Sequence, residues 1–120
     1  MPLKELFLNF RDRYMRSSVE KMEFPSFPPD DVIRYQLIFS GIVQGVGFRY
    51  EMWLIAEKLE LTGFVKNLEN GDVLAEVQGP KNRIDHLIKC MKSIRRIMIE
   101  HIQMTELPPK TEEKEFLPIY

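Results

Sequence analysis

Three glycines and an arginine stand close together in Gly41-Ile42-Val43-Gln44-Gly45-Val46-Gly47-Phe48-Arg49. Glycine carries no Cβ, so the backbone there can turn sharply and aim several N–H groups into one hollow. An apolar stretch with strand period precedes the run, and an amphipathic helical pattern follows it. A helix N-terminus adds unpaired N–H donors and a partial positive charge. Arg49 adds a full charge and a planar fork that can grip two oxygens of a phosphate. These residues describe a small anion cradle. A nucleotide P-loop is excluded, because no Lys-Ser or Lys-Thr follows the glycines. The dinucleotide fingerprint is excluded too, since Tyr50 occupies the place of its third glycine. On glycine spacing alone, a structural strand-to-helix turn beside a chance arginine explains the run equally well.

Other chemistry finds little support. Cys90 is the only cysteine, so no internal disulfide can form. Its spacing from Ile84, Leu87, Ile88 and Met91 reads as a packed thiol rather than a nucleophile. His86 and His101 with one distant cysteine do not make a zinc site, and no metal or other cofactor is expected. The 120 residues suit one domain with a real core. The net charge is −1, with five basic and six acidic residues before Ile33 and twelve of each from there on. Neither part is polarised, so no nucleic-acid or membrane surface is expected and any anion site must be local. No apolar run approaches the ~20 residues of a membrane span. Lys4, Glu5, Arg11 and Asp12 break up any signal-peptide core, which makes a reducing cytoplasm the expected location.

The positioning elements follow from period. Residues 2–22 carry Leu3, Phe7, Phe10 and Tyr14 at helical spacing and predict an amphipathic helix. Pro25, Pro28 and Pro29 then force an extended linker, which Phe24 and Phe27 could pin to a surface. Residues 1–31 are therefore set apart from a domain at 32–120. Ile33, Tyr35, Leu37 and Phe39 alternate with Arg34, Gln36, Ile38 and Ser40, the period of a strand. Phe48, Met52, Ile55, Ala56 and Leu59 form the stripe of a first domain helix, with Glu51 expected to be wet. Tyr50, Trp53 and Leu54 lie off the stripe and leave an apolar patch for the N-terminal helix. Residues 61–68 and 72–78 predict two strands joined at Asn70-Gly71, where both residues tolerate positive φ. Pro80 opens a second helix whose cationic end, with Lys89, Lys92, Arg95 and Arg96, is expected to be solvated. Residues 97–105 predict a fourth strand, 108–115 a polar loop, and 116–120 a closing edge strand that tolerates Pro118. The order β-α-β-β-α-β predicts an α+β, ferredoxin-like sandwich: an antiparallel sheet with two helices on one face, plus the extra N-terminal helix.

The run Gly41-x-Val43-Gln44-Gly45-Val46-x-Phe48-Arg49 resembles the first signature of the acylphosphatase family. Gly63-Phe64-Val65-Lys66-Asn67, then Gly71-x-Val73 and Gly79, resemble its second. The resemblance covers roughly 34–120. It implies hydrolysis of small acyl phosphates to carboxylate and inorganic phosphate without a metal. It implies that backbone N–H groups of Gln44, Gly45, Val46, Gly47 and Phe48, with the Arg49 guanidinium, hold the phosphate. It assigns Asn67 to orienting the attacking water. Two departures stand out. A Gly-Pro turn that many members carry before the fourth strand is replaced by Lys92-Ser93-Ile94-Arg95-Arg96, and residues 1–33 are foreign to small members.

Two other functions compete. A catalytically slow phosphate-sensing or protein-interaction module could share the fold, although both Arg49 and Asn67 are kept. RNA-recognition modules share the strand-helix order, but residues 72–78 carry none of the aromatics that stack bases. A monomer is expected, with a dimer through the N-terminal helix as the alternative.

Overall fold

A computed structural model describes residues 18–120. Its strands are β1 (Val32–Ile42), β2 (Thr62–Asn67), β3 (Val73–Pro80), β4 (Met98–Leu107) and β5 (Phe116–Ile119). Two helices, α1 (Phe48–Lys58) and α2 (Lys81–Ser93), follow β1 and β3. The strands form one sheet in the order β4-β1-β3-β2-β5. The sandwich is ferredoxin-like, as the element order predicts. Four strands pair antiparallel, but β5 runs parallel to β2, with Gly63 opposite Phe116 and Lys66 opposite Ile119, so the sheet is mixed. A strand as short as β5 has no hairpin partner next to it in sequence. It reaches β2 only by crossing the sheet through residues 108–115.

Alternation decides which face carries the helices. Leu37 and Phe39 of β1, Val65 of β2, Val73, Ala75 and Val77 of β3 and Phe116 of β5 are buried on one face. Ile55 and Ala56 of α1 and Ile84, Leu87 and Met91 of α2 complete that core. The opposite face carries Arg34, Glu76 and Gln78, roofed by the 108–115 loop. Arg34 is fully buried there, donating from Nε to Glu76 at 3.0 Å and in a two-pronged grip to Glu113 at 2.7 and 3.1 Å. A charge so placed must be paired, because desolvation would otherwise dominate.

The β2–β3 turn departs from expectation in detail. Gly71 has φ 96°, but Asn70 does not adopt positive φ. Instead its Oδ1 accepts from the Asp72 N–H at 3.0 Å, so the side chain rather than the backbone of Asn70 builds the turn. Pro80 closes β3 and caps α2 rather than lying in its first turn.

The N-terminal segment forms a third layer. Of the helix expected at 2–22, the described part is a 3-10 turn at Val19–Lys21, and Met22 is already extended. The remainder lies outside the described residues. Val19 is buried, and the turn packs against α1. Residues 22–31 then run extended over the helices, with Phe24 and Phe27 edge-on to His86 of α2 at 5.8 and 5.4 Å. The Lys58 ammonium stands 5.6 Å over the Phe24 ring, and the Arg83 guanidinium 5.6 Å over Phe27. Helix α1 is consequently buried on nearly every side, Tyr50 and Trp53 included. Glu51, expected to be wet, is fully buried as well. No helix among the described residues is long and apolar enough to cross a membrane.

Candidate active site

Loop 43–47 leaves β1 and enters α1 through Gly47. Gly45 and Gly47 adopt φ +74° and +78°, a left-handed backbone that costs an L-residue roughly 1–2 kcal/mol. Gly45 is exposed, and a Cβ built there meets nothing within 4 Å, so the space above the loop is open. Gly47 caps α1 without a side-chain hydrogen bond to its first turn. Among the described residues, the N–H groups of Gly45, Val46, Gly47 and Phe48 meet no acceptor. Four adjacent donors at the positive end of a helix have the chemistry that suits an anion.

The side chains around the loop have separate duties. The Gln44 amide reaches across to the β2–β3 hairpin, donating from Nε2 to the Leu68 carbonyl at 2.7 Å and to the Asp72 carbonyl at 2.8 Å. Leu68 follows Asn67 directly, so this tether brings the loop beside the end of β2. Arg49, on the first turn of α1, donates from Nη1 to the Ile119 carbonyl at 2.9 Å and stands 4.6 Å from the centre of the Tyr120 ring. Because Lys66 pairs with Ile119 in parallel register, one more step sets Asn67 alongside Tyr120. Asn67 shares the helix-side face with Val65, two residues back, and is half-buried. Loop, arginine and asparagine thus converge on one end of the sheet.

A glycine loop at the start of α1, with an arginine one residue inside the helix and an asparagine closing β2, is the arrangement that the two sequence signatures imply. The family model for acylphosphatase matches residues 35–118. The chain belongs to the acylphosphatase family.

Relatives agree. An acylphosphatase of Clostridium beijerinckii is 44% identical over 86 residues, covering 71% of this chain and 96% of the relative. The crystal structure of acylphosphatase from Bacillus subtilis superposes with a TM-score of 0.68 at 32% identity, over 73% of this chain and 99% of its own. A full-length HypF, solved in a phosphate- and nucleotide-bound form, matches at 31% identity and TM-score 0.66 over 78% of this chain but 12% of its own. The acylphosphatase fold accounts for β1 through β5, while residues before 35 lie outside the family match.

Behind the loop stands a network that the sequence did not announce. Arg96 lies in the turn after α2, which ends at Ser93, rather than on a solvated helix end. It donates from Nε to the Val46 carbonyl at 2.7 Å and from Nη2 to Glu51 at 2.7 Å. That ion pair is why Glu51 can be buried. The partners are 45 residues apart, so no local pattern could have revealed them. Cys90 is buried away from the loop, and its thiol is pushed up by burial against a smaller opposing pull from Lys89, which fits a packed thiol. A cavity of about 860 Å³ also lies elsewhere, between the N-terminal segment and α2, with Met22, Phe24, His86 and Lys89 in its wall. Among the described residues, no three histidines, cysteines or carboxylates gather as a metal site.

Proposed function

We propose that this chain hydrolyses the carboxyl–phosphate bond of small acyl phosphates, with the phosphate held by loop 44–49 and the attacking water oriented by Asn67. The observation that carries the reading is the set of unaccepted N–H donors at the entrance of α1, tied by Gln44 to the strand that ends at Asn67. Residues 32–120 form the catalytic domain in this reading, and 1–31 an attached segment. The substrate's negative charge enters at the donors of Gly45, Val46, Gly47 and Phe48, with the Arg49 fork gripping two of its three phosphoryl oxygens.

The chemistry asks little more. Water attacks phosphorus as the bond to the carboxyl oxygen breaks, and the bonding pair leaves on the carboxylate. The conjugate acid of that leaving group has a pKa near ~4, so it departs without a general acid. One water proton stays on the new phosphate and the other passes to solvent. Charge that spreads over the equatorial oxygens is met by fixed donors, the dominant contribution in phosphoryl transfer. An amide suits the water-orienting place, because it accepts from water without carrying a charge that repels phosphate. Arginine and backbone dipoles neutralise the dianion, and the reaction needs no metal. The chain acts as a monomer in a reducing cytoplasm, where its one buried thiol is safe.

The test is release of benzoate from benzoyl phosphate, followed by ultraviolet absorbance, with and without chelator. Turnover is expected to be insensitive to chelator. Arg49→Ala should lose phosphate binding and turnover together, by about 10²–10³-fold or more in kcat/KM. Asn67→Ala should keep phosphate inhibition while kcat falls by a comparable factor. Near-normal kcat in Asn67→Ala would sink its assignment. A folded wild type that binds phosphate without turnover would make the chain a sensing module instead.

A further inference from the structure

Glu51 is a buried carboxylate that this chemistry does not use. It sits one turn into α1, where its N–H donates to the Gly47 carbonyl at 3.0 Å. Its Oε1 receives Arg96 Nη2 at 2.7 Å and the Ser18 N–H at 3.1 Å. Arg96 also donates to the Val46 carbonyl at 2.7 Å and reaches the Ser18 Oγ at 3.4 Å. One guanidinium therefore joins the glycine loop, the helix behind it and the N-terminal segment. The Glu51 side chain is fully buried and the Arg96 side chain 29% exposed, so the pair is far less screened than a surface bridge.

The contact with Val46 has a geometric consequence. The peptide between Val46 and Gly47 is trans, as are all peptides of the described residues. In a trans peptide the C=O and N–H vectors are antiparallel in one plane. Holding the Val46 oxygen on Arg96, behind the loop, turns the Gly47 N–H to the opposite side. Without that hold the plane is loose, because glycine at 47 tolerates either sign of φ and lets the peptide flip at low cost. We propose that Arg96, fixed in place by Glu51, is a positioning residue that aims the Gly47 N–H at the bound phosphate. The inference rests on reading loop 44–49 as the phosphate site. Neither side chain touches substrate.

The test uses full-length, ¹⁵N-labelled protein titrated with inorganic phosphate, reading the Gly47 amide resonance, the phosphate Kd and the KM and kcat for benzoyl phosphate. Phosphate should shift the wild-type Gly47 amide. In folded Arg96→Met and Glu51→Ala proteins that shift should shrink, with phosphate Kd and KM rising about tenfold, the scale of one lost oriented donor. Glu51→Gln keeps an acceptor for Arg96 and should stay within about threefold of wild type. Arg96→Lys keeps the charge but cannot bridge both partners with a planar fork, and should fall between. Arg96→Lys equal to wild type while Arg96→Met fails would mean that charge alone matters, and would overturn the proposal. So would a wild-type Gly47 amide that phosphate leaves unmoved. If Gly47 responds as described but benzoyl phosphate is not turned over, the positioning role stands and the catalytic reading fails.

Discussion

Gln44 shows how a motif position can leave the work of a side chain unread. The proposed site uses its backbone for the phosphate, while its side chain is spent on the Leu68 and Asp72 carbonyls. Both contacts need the amide N–H₂ as donor. Gln44→Glu therefore sets a carboxylate against two carbonyl oxygens, whereas Gln44→Ala merely leaves them to water. Urea unfolding should show Gln44→Ala about 1–2 kcal/mol less stable and Gln44→Glu worse than Gln44→Ala. Both should lower kcat/KM, since the tether sets the distance from the loop to Asn67. If Gln44→Glu matched wild type in both, the tether would be irrelevant to the site. Arg49, Asn67 and the glycines were open to nomination as site candidates because each belongs to a short local run. Glu51 and Arg96 were not, since a charge on a helix face is normally wet and only the fold brings its partner to it.

At the scale of elements, periodicity, turn signals and β-branched composition located the strands β1 to β5 and both domain helices, but pairing partners lay beyond them. Residues 116–120 read as an edge strand with no indication of direction. Parallel pairing to β2 is what brings Ile119 and Tyr120 to Arg49. The 108–115 stretch read as a polar loop, yet it roofs the sheet through Glu113 on Arg34 and through Lys110, whose N–H and C=O pair with the Gln78 side chain at 2.8 and 2.7 Å. Burial penalises the Glu113 charge, but hydrogen bonds from Arg34 and Thr62 and the nearby Arg34 charge outweigh it, holding the carboxyl below its usual 4.5. A carboxyl lowered in the folded state stabilises fully above its unfolded pKa. That contribution is lost as pH falls below about 4.5 and through the lowered folded value. Glu113→Gln should cost about 1–3 kcal/mol at pH 7, because it leaves the buried Arg34 short of a partner. Its stability should also fall less steeply in acid than that of wild type. Parallel pH profiles of urea midpoint for the two proteins would show that Glu113 is not the group responsible.

For the whole molecule, the question is what residues before 32 contribute to a family fold that other members build without them. The Pro-rich composition predicted an extended path and suggested the two phenylalanines as anchors. The ring contacts with His86 give that path its direction across the helices. The segment also completes α2. Pro80 at its N-cap can cap nothing with its side chain, and Asp30 Oδ2 accepts from the Asn82 N–H at 2.9 Å while the Asp31 carbonyl accepts from the Lys81 N–H at 2.9 Å. Orphan donors of the first turn are thus met from a distant part of the chain. Asp30→Ala should lose about 1 kcal/mol, as other caps do. Deleting 1–31 removes this cap, buried Val19 and both phenylalanines, and should lower unfolding free energy by about 2–4 kcal/mol. The fold should survive, since an acylphosphatase structure is matched over 99% of its length by 73% of this chain. Emission from Trp53, only 5% exposed, should shift to the red as α1 loses its outer cover. A truncated protein with unchanged urea midpoint and unchanged Trp53 emission would mean that the segment rests on the helices without stabilising them. Its Ser18 contact with Glu51 would then be a passive neighbour of the phosphate loop.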